Sequence, residues 1–145
     1  RWRAALGSET SASSLASLDA ALAIAEGGDS IAAARQRLGA SAGDVNWAAR
    51  DVGFLGMLTP LPQDLQALSP PPGPAPASGA SPALAALLAS ADRGAMGETA
   101  LRAGAMLKSG TSALDNASLA RLVQALKKTG QEPAARAILV EAILG

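Results

Sequence analysis

The chain of 145 residues suits one domain, or one domain with an inserted linker, and is long enough to bury a hydrophobic core. Its formal net charge is zero, with twelve basic and twelve acidic residues, which disfavours nucleic acid and anionic membranes as partners. It has no cysteine and no histidine, which excludes disulfides, thiolate zinc sites and histidine-based catalysis. Alanine is abundant and aromatic residues make up only 2%, so the composition predicts an all-α protein.

Three helices are predicted in the N-terminal part of the chain, residues 1–68. Each carries apolar residues at intervals of three or four: Leu15, Leu18 and Leu22; Ile31, Ala34 and Leu38; Val52 and Leu55. Glycines follow the first two helices, whereas Asp44 is a suitable N-cap for the third and Pro60 ends it. Trp47 and Phe54 lie on one face of the third helix, and we interpret them as core, with a ligand pocket as the alternative.

Residues 69–82 read SPPPGPAPASGASP and are predicted to be a Pro/Ala/Ser-rich linker. Successive prolines remove backbone donors and disfavour the helical conformation of the residues before them, and the segment has almost nothing to bury. The linker divides the chain into an N-terminal helical segment, 1–68, and C-terminal helical hairpins, 83–145. These two segments either fold separately or share one core.

Four helices are predicted after the linker. Their beginnings are indicated by Ser81–Pro82, by Glu98, by Asp115 or Asn116, and by Glu132–Pro133. Glycines mark the ends of the first three: Gly94 and Gly97, then Gly110, then Gly130. The total is about seven helices, which we expect to form antiparallel hairpins in a helical bundle or a short α-solenoid.

The segment from Leu119 to Leu144 combines large and small apolar residues along two predicted helices. The large ones are Leu119, Leu122, Leu126 and Leu139, and the small ones are Ala135 and Ala142, with Gly130 at the turn. This arrangement resembles a tetratricopeptide-type helical hairpin, in which small residues let two helices approach closely. It departs from the family at Leu119 and Leu126, where aromatics are favoured, and at Val123, where glycine or alanine is preferred. The resemblance implies a protein-binding scaffold.

A degenerate internal repeat accompanies this resemblance. Residues 14–22 read SLASLDAAL and residues 118–126 read SLARLVQAL, and each is followed by glycine and then by Ala-Ala-Arg. The repeat favours a helical-repeat architecture. A chance match in a chain rich in alanine and leucine is the alternative.

The sequence contains no motif that carries catalysis. A nucleophile elbow, a phosphate-binding loop and a dinucleotide fingerprint are all missing, and no apolar stretch reaches the roughly 20 residues that span a bilayer. We therefore expect a protein that is not an enzyme, with no cofactor and no metal-binding residue. The expected function is a helical scaffold or protein–protein interaction module within a larger protein. Nine arginines against three lysines favour a bacterial origin.

Two other functions remain open at this stage. Alanine-rich faces are compatible with a structural domain that assembles with itself, and the chain is also compatible with an accessory or lid domain of an enzyme whose catalytic groups lie outside it. The sequence does not indicate a cellular compartment.

Arg121, Gln124 and Lys128 are the candidate partner-binding residues. They fall at intervals of three and four, opposite the face that carries Leu122 and Leu126. The ordinary interpretation is a solvated helix face. The resemblance implies instead that the first helix of each pair lines a groove, where basic side chains hold carboxylates of a protein or peptide partner.

Overall fold

A computed structural model of the chain describes residues 21–22, 24–25, 32, 45–58, 60–61, 63–67 and 81–144. The chain divides into two compact units, Arg1–Ser69 and Pro70–Ile143, the last two residues aside. Within the described ranges 84% of the residues are helical and none is in a strand, which confirms the all-α prediction. The predicted linker falls outside these ranges except for its last two residues.

The first unit contains α1, Val45–Leu58, and a single helical turn, α2, Gln63–Gln66. α1 agrees with the third predicted helix, and its buried side chains include Phe54, so this aromatic residue belongs to the core. The side chain of Trp47 is outside the described part of the chain. The first two predicted helices also lie outside the described part of the chain, apart from five helical residues among residues 21–32. The count of seven helices and their arrangement in hairpins therefore stay predictions.

A close contact follows the end of α1. The chain turns back after Pro60, and Leu61 becomes buried over Gly56, where an added Cβ atom would come within 2.9 Å of the Leu61 Cδ1 atom. The Gln66 side-chain amide donates a 2.6 Å hydrogen bond to the Leu61 carbonyl. Pro60 prevents α1 from continuing. The contact of Leu61 with Gly56 instead holds the following residues against the helix.

Residues 81–144, the described part of the second unit, contain four α-helices: α3, Pro82–Asp92; α4, Met96–Met106; α5, Asn116–Lys128; and α6, Glu132–Leu144. Two 3-10 turns, Leu107–Ser109 and Thr111–Ala113, join α4 to α5. The prediction that α4 begins at Glu98 was wrong, because the helix begins at Met96 and continues through Gly97. Of the two glycines proposed to interrupt the chain here, only Gly94 has a positive φ.

Both helix pairs of this unit are joined by three residues with the same hydrogen bonding. After α3, Gly94 N–H donates to the Ala91 carbonyl and Ala95 N–H to the Ser90 carbonyl. After α5, Gly130 N–H donates to the Lys127 carbonyl and Gln131 N–H to the Leu126 carbonyl. This is the Schellman arrangement, which requires a left-handed residue after the helix, and φ is 69° at Gly94 and 76° at Gly130.

Gly94→Ala and Gly130→Ala are each expected to lower the free energy of unfolding by about 1–2 kcal/mol, since a Cβ atom is strained at positive φ. Gly104→Ala is the matched control. Gly104 lies inside α4 with no atom within 4 Å of an added Cβ, so alanine there should stabilise the helix by about 0.5–1 kcal/mol. Urea unfolding of the three variants measures the expected loss of stability at Gly94 and Gly130 and the expected gain at Gly104. Equal effects at all three glycines would show that alanine is not strained at the two positions of positive φ.

The core of the second unit forms where α3 contacts both α4 and α5, and α4 also contacts α5. α3 contributes two buried leucines, and the other buried side chains of α3 and α4 are small, which lets the helices approach. The buried residues of α3 and α4 are Leu84, Leu87, Ser90, Ala91, Thr99 and Ala103. Ser90 donates to the Leu87 carbonyl at 2.7 Å and Thr99 donates to the Ala95 carbonyl at 2.9 Å, so both buried hydroxyls are satisfied.

α6 has one buried face, formed by Ala135, Ile138, Leu139 and Ile143. Ala135, predicted to be buried, has no exposed surface, whereas Ala142 is half-buried. The spacing of this face matches the pattern that predicts a close helix pair. Packing of α6 against α5 as a hairpin remains a prediction.

Candidate functional site

The polar stripe of α5, defined as Arg121, Gln124 and Lys128, lies on the side of the helix away from its core. Gln124 and Lys128 are exposed and Arg121 is half-buried. The large apolar side chains on the other side, Leu119, Leu122, Val123 and Leu126, are buried, and Ala125, one turn after Arg121, is buried beside the stripe. Gln124 and Lys128 thus share an exposed side of α5, and Arg121 lies at the edge of that side.

Hydrogen bonds fix α5 at both ends. Asp115 is the N-cap, and its carboxylate accepts hydrogen bonds from the Ser118 backbone N–H at 2.8 Å and from the Ser118 hydroxyl at 2.9 Å. At the other end Thr129 donates to the Ala125 and Leu126 carbonyls, beside the left-handed Gly130. These caps define where the helix begins and ends, whereas its rotational position is set by the buried side chains of α5, which contacts α3 and α4.

Lys128 already binds a carboxylate. Its ammonium lies 2.7 Å from Asp92 Oδ1 at the end of α3, with the two side chains 58% and 70% exposed. A pair this exposed contributes about 0–1 kcal/mol to stability, so a competing carboxylate can displace Asp92 at little cost. Among the described residues, neither Arg121 nor Gln124 has a side-chain hydrogen-bond partner. Within the part of the chain that the structure describes, Lys128 is paired with a carboxylate and Arg121 is not.

The two connections between helices lie next to each other. The Gln131 side-chain amide donates to the Met96 carbonyl at 3.0 Å and to the Thr129 hydroxyl at 2.9 Å. Together with the pair between Lys128 and Asp92, this contact ties the end of α5 to the end of α3 and the beginning of α4. Sequence reasoning identified neither Asp92 nor Gln131, because their partners are 36 and 35 residues away.

A second group of charges lies at the beginning of α4. Glu98 accepts hydrogen bonds from Arg93 at 2.9 Å and from Arg102 at 2.7 Å. These hydrogen bonds, that of Arg102 first and then that of Arg93, lower the pKa of the Glu98 carboxyl. All three side chains are partly exposed, which is typical of a surface ion cluster rather than of a catalytic group.

Two other carboxyls have lowered pKa values for local reasons. The hydrogen bond from the Ser118 backbone N–H, followed by that from its hydroxyl, lowers the pKa of Asp115. The hydrogen bond from Arg136, at 2.6 Å, lowers the pKa of Glu132 in the first turn of α6. Both carboxylates lie at helix N-termini, where negative charge is also favoured by the helix dipole.

The unfolding free energy of the chain is expected to fall as the pH is lowered from about 6 to about 3, since Glu98, Asp115 and Glu132 have lower pKa values folded than unfolded. The unfolded chain binds more protons in this range, so the contribution is present above the ordinary carboxyl pKa values and is lost below them. Urea midpoints across the range measure it. Glu98→Gln combined with Asp115→Asn should flatten the profile, and an unchanged slope would contradict the assignment.

Within the described ranges there is no group of three or more Asp or Glu side chains that could hold a metal ion. The same part of the chain contains no helix with the length and apolar character needed to cross a bilayer. The Asp and Glu side chains with lowered pKa values serve as helix caps or as partners of arginines. The candidate site thus consists of exposed and half-buried charged side chains on the helices of the second unit.

Comparisons with protein-family models, with curated proteins and with solved structures give no match to this chain. The function is therefore inferred from the residues of the second unit alone.

Proposed function

We propose that the chain is a non-enzymatic helical scaffold, a protein–protein interaction module that belongs to a larger bacterial protein. In this proposal its second unit consists of tetratricopeptide-like helix pairs, and the polar stripe of α5 binds a protein or peptide partner. The observation that carries the proposal is a polar stripe whose Arg121 has no side-chain partner among the described residues, on a helix whose other side is buried.

The two helix pairs support the repeat architecture. α3 with α4 and α5 with α6 have the same three-residue connection, the same left-handed glycine and the same pair of hydrogen bonds. The first helix of one pair, α3, also contacts the first helix of the next, α5. Stacking of like helix pairs produces extended surfaces of the kind that repeat proteins use for binding.

The charges of the polar stripe indicate the chemistry of the partner. Arg121 is the cation of the stripe without a partner in the described part of the chain, and Lys128 holds the exposed carboxylate of Asp92. A partner with two carboxylates, or with an acidic residue next to its C-terminal carboxylate, would engage Arg121 and replace Asp92 at Lys128. The proposed partner is therefore an acidic peptide segment.

Replacing Arg121 and Lys128 together by alanine is expected to abolish partner binding while changing the unfolding free energy by no more than about 1 kcal/mol, because the ion pair of Lys128 is exposed and the half-buried Arg121 has no ion pair among the described residues. Partner capture from lysate, quantified by mass spectrometry, together with urea unfolding measures both effects. Arg121→Lys combined with Lys128→Arg is the matched control, which keeps the charge and should retain binding.

If the double alanine variant captured the partner as well as the parent chain does, the polar stripe would be an ordinary solvated helix face and not a binding surface. A protein that sediments as a concentration-dependent oligomer and captures only its own copies would support a structural self-assembling domain. An enzyme domain found in the same polypeptide as this chain would support the alternative of an accessory or lid domain.

A further inference from the structure

α4 has two apolar faces rather than one. Thr99 and Ala103 are buried on the side that faces the core. Gly97, Leu101 and Gly104 are spaced by four and three residues, so they share the opposite side of the helix. Leu101 there is 78% exposed. We define the outer face of α4 by five exposed residues: Gly97, Ala100, Leu101, Gly104 and Ala105.

The two glycines of the outer face of α4 are not needed by the fold. An added Cβ at Gly97 or Gly104 would meet no atom within 4 Å, and neither residue has a positive φ. Glycine weakens a helix relative to alanine. What glycine provides at these positions is a surface without side chains, on which the backbone of another helix can lie close. The large exposed side chain of Leu101, between the glycines, provides an apolar contact for it.

The charges at the margin of this face select the occupant. Arg93, Arg102 and Lys108 are exposed cations near it, whereas the carboxylate of Glu98 is shared by both arginines. A second copy of the chain laid on the same face would bring like charges together. An occupant with acidic side chains at its edges is complementary instead.

We propose that the outer face of α4 docks an amphipathic helix of a partner protein, one with large apolar side chains along one face and acidic side chains beside them. Large side chains of that helix fill the space above the two glycines, and its carboxylates meet the cationic margin. The inference rests on the proposed role as an interaction module but uses a surface other than the polar stripe of α5.

The test uses the whole chain and two synthetic peptides. One is a fluorescent amphipathic helix with a leucine stripe flanked by glutamates, and the other is its twin with lysines in place of the glutamates. Anisotropy titrations should show that the glutamate peptide binds at least about tenfold more tightly than its twin. Gly97→Gln combined with Gly104→Gln should weaken its binding about tenfold or more, because the added side chains occupy the contact surface.

Three control measurements show whether a loss of binding arises at the outer face of α4. The glutamine variant should melt at a higher temperature than the parent chain, since it replaces two exposed helical glycines, so a loss of binding cannot be due to misfolding. Ala134→Gln combined with Ala137→Gln adds the same side chains to exposed positions of α6 and should bind normally. Arg121→Ala combined with Lys128→Ala should also bind normally, which distinguishes this site from the polar stripe.

Four results would overturn the proposal. These are failure of the glutamate peptide to bind, equal binding of the two peptides, full binding by the glutamine variant, and a dimer of the parent chain that the glutamine variant abolishes. The last result would assign the outer face of α4 to a second copy of the chain.

Discussion

Leu122→Ala is expected to lower the free energy of unfolding by about 2–5 kcal/mol, because truncation of a buried leucine removes apolar burial and leaves a cavity. Leu122 lies near the middle of α5 with no exposed surface, and α5 contacts both α3 and α4. The effect is measured as a shift of the urea midpoint at constant slope.

Gln124→Ala is the control for Leu122→Ala, since it changes the exposed side of the same helix. Its effect should stay within about 0.5 kcal/mol. If the two variants unfolded at the same urea concentration, α5 would not have the orientation that buries Leu122 and exposes the polar stripe.

Ala135→Leu is expected to lower the free energy of unfolding by about 1–3 kcal/mol, since a larger side chain has to be accommodated where alanine has no exposed surface. Ala137→Leu adds the same atoms two residues further along α6 at an exposed position and should have little effect. Thermal and urea unfolding of both variants compare them directly. Similar midpoints for the two would contradict close packing of the Ala135 face.

The helices of the second unit were predictable because their ends are determined locally. Ser81 accepts a hydrogen bond from the Leu84 backbone N–H, and Asp115 accepts one from that of Ser118, as their residue types indicated. Gly130 has the positive φ expected of a residue after a helix. The predicted beginning of α4 was wrong because composition alone does not show which of Gly94 and Gly97 adopts the left-handed conformation.

The polar stripe of α5 followed from helical periodicity, which is a local property of the sequence. Its neighbour Asp92 could not be predicted in the same way, because a contact over 36 residues depends on how α3 and α5 pack together. The exposure of Leu101 could not be predicted from the sequence either. A leucine at helical spacing is ordinarily assigned to the core, and only the packing of Thr99 and Ala103 shows that the core lies on the other side of α4.

A photo-crosslinking amino acid at position 124 tests the proposed role of the polar stripe most directly, because Gln124 is the exposed middle residue of that stripe. We expect crosslinks to a partner protein at an acidic segment, and their loss when Arg121 and Lys128 are also replaced by alanine. Crosslinks only to other copies of this chain, or crosslinks to a partner that persist in the double alanine variant, would contradict the proposal.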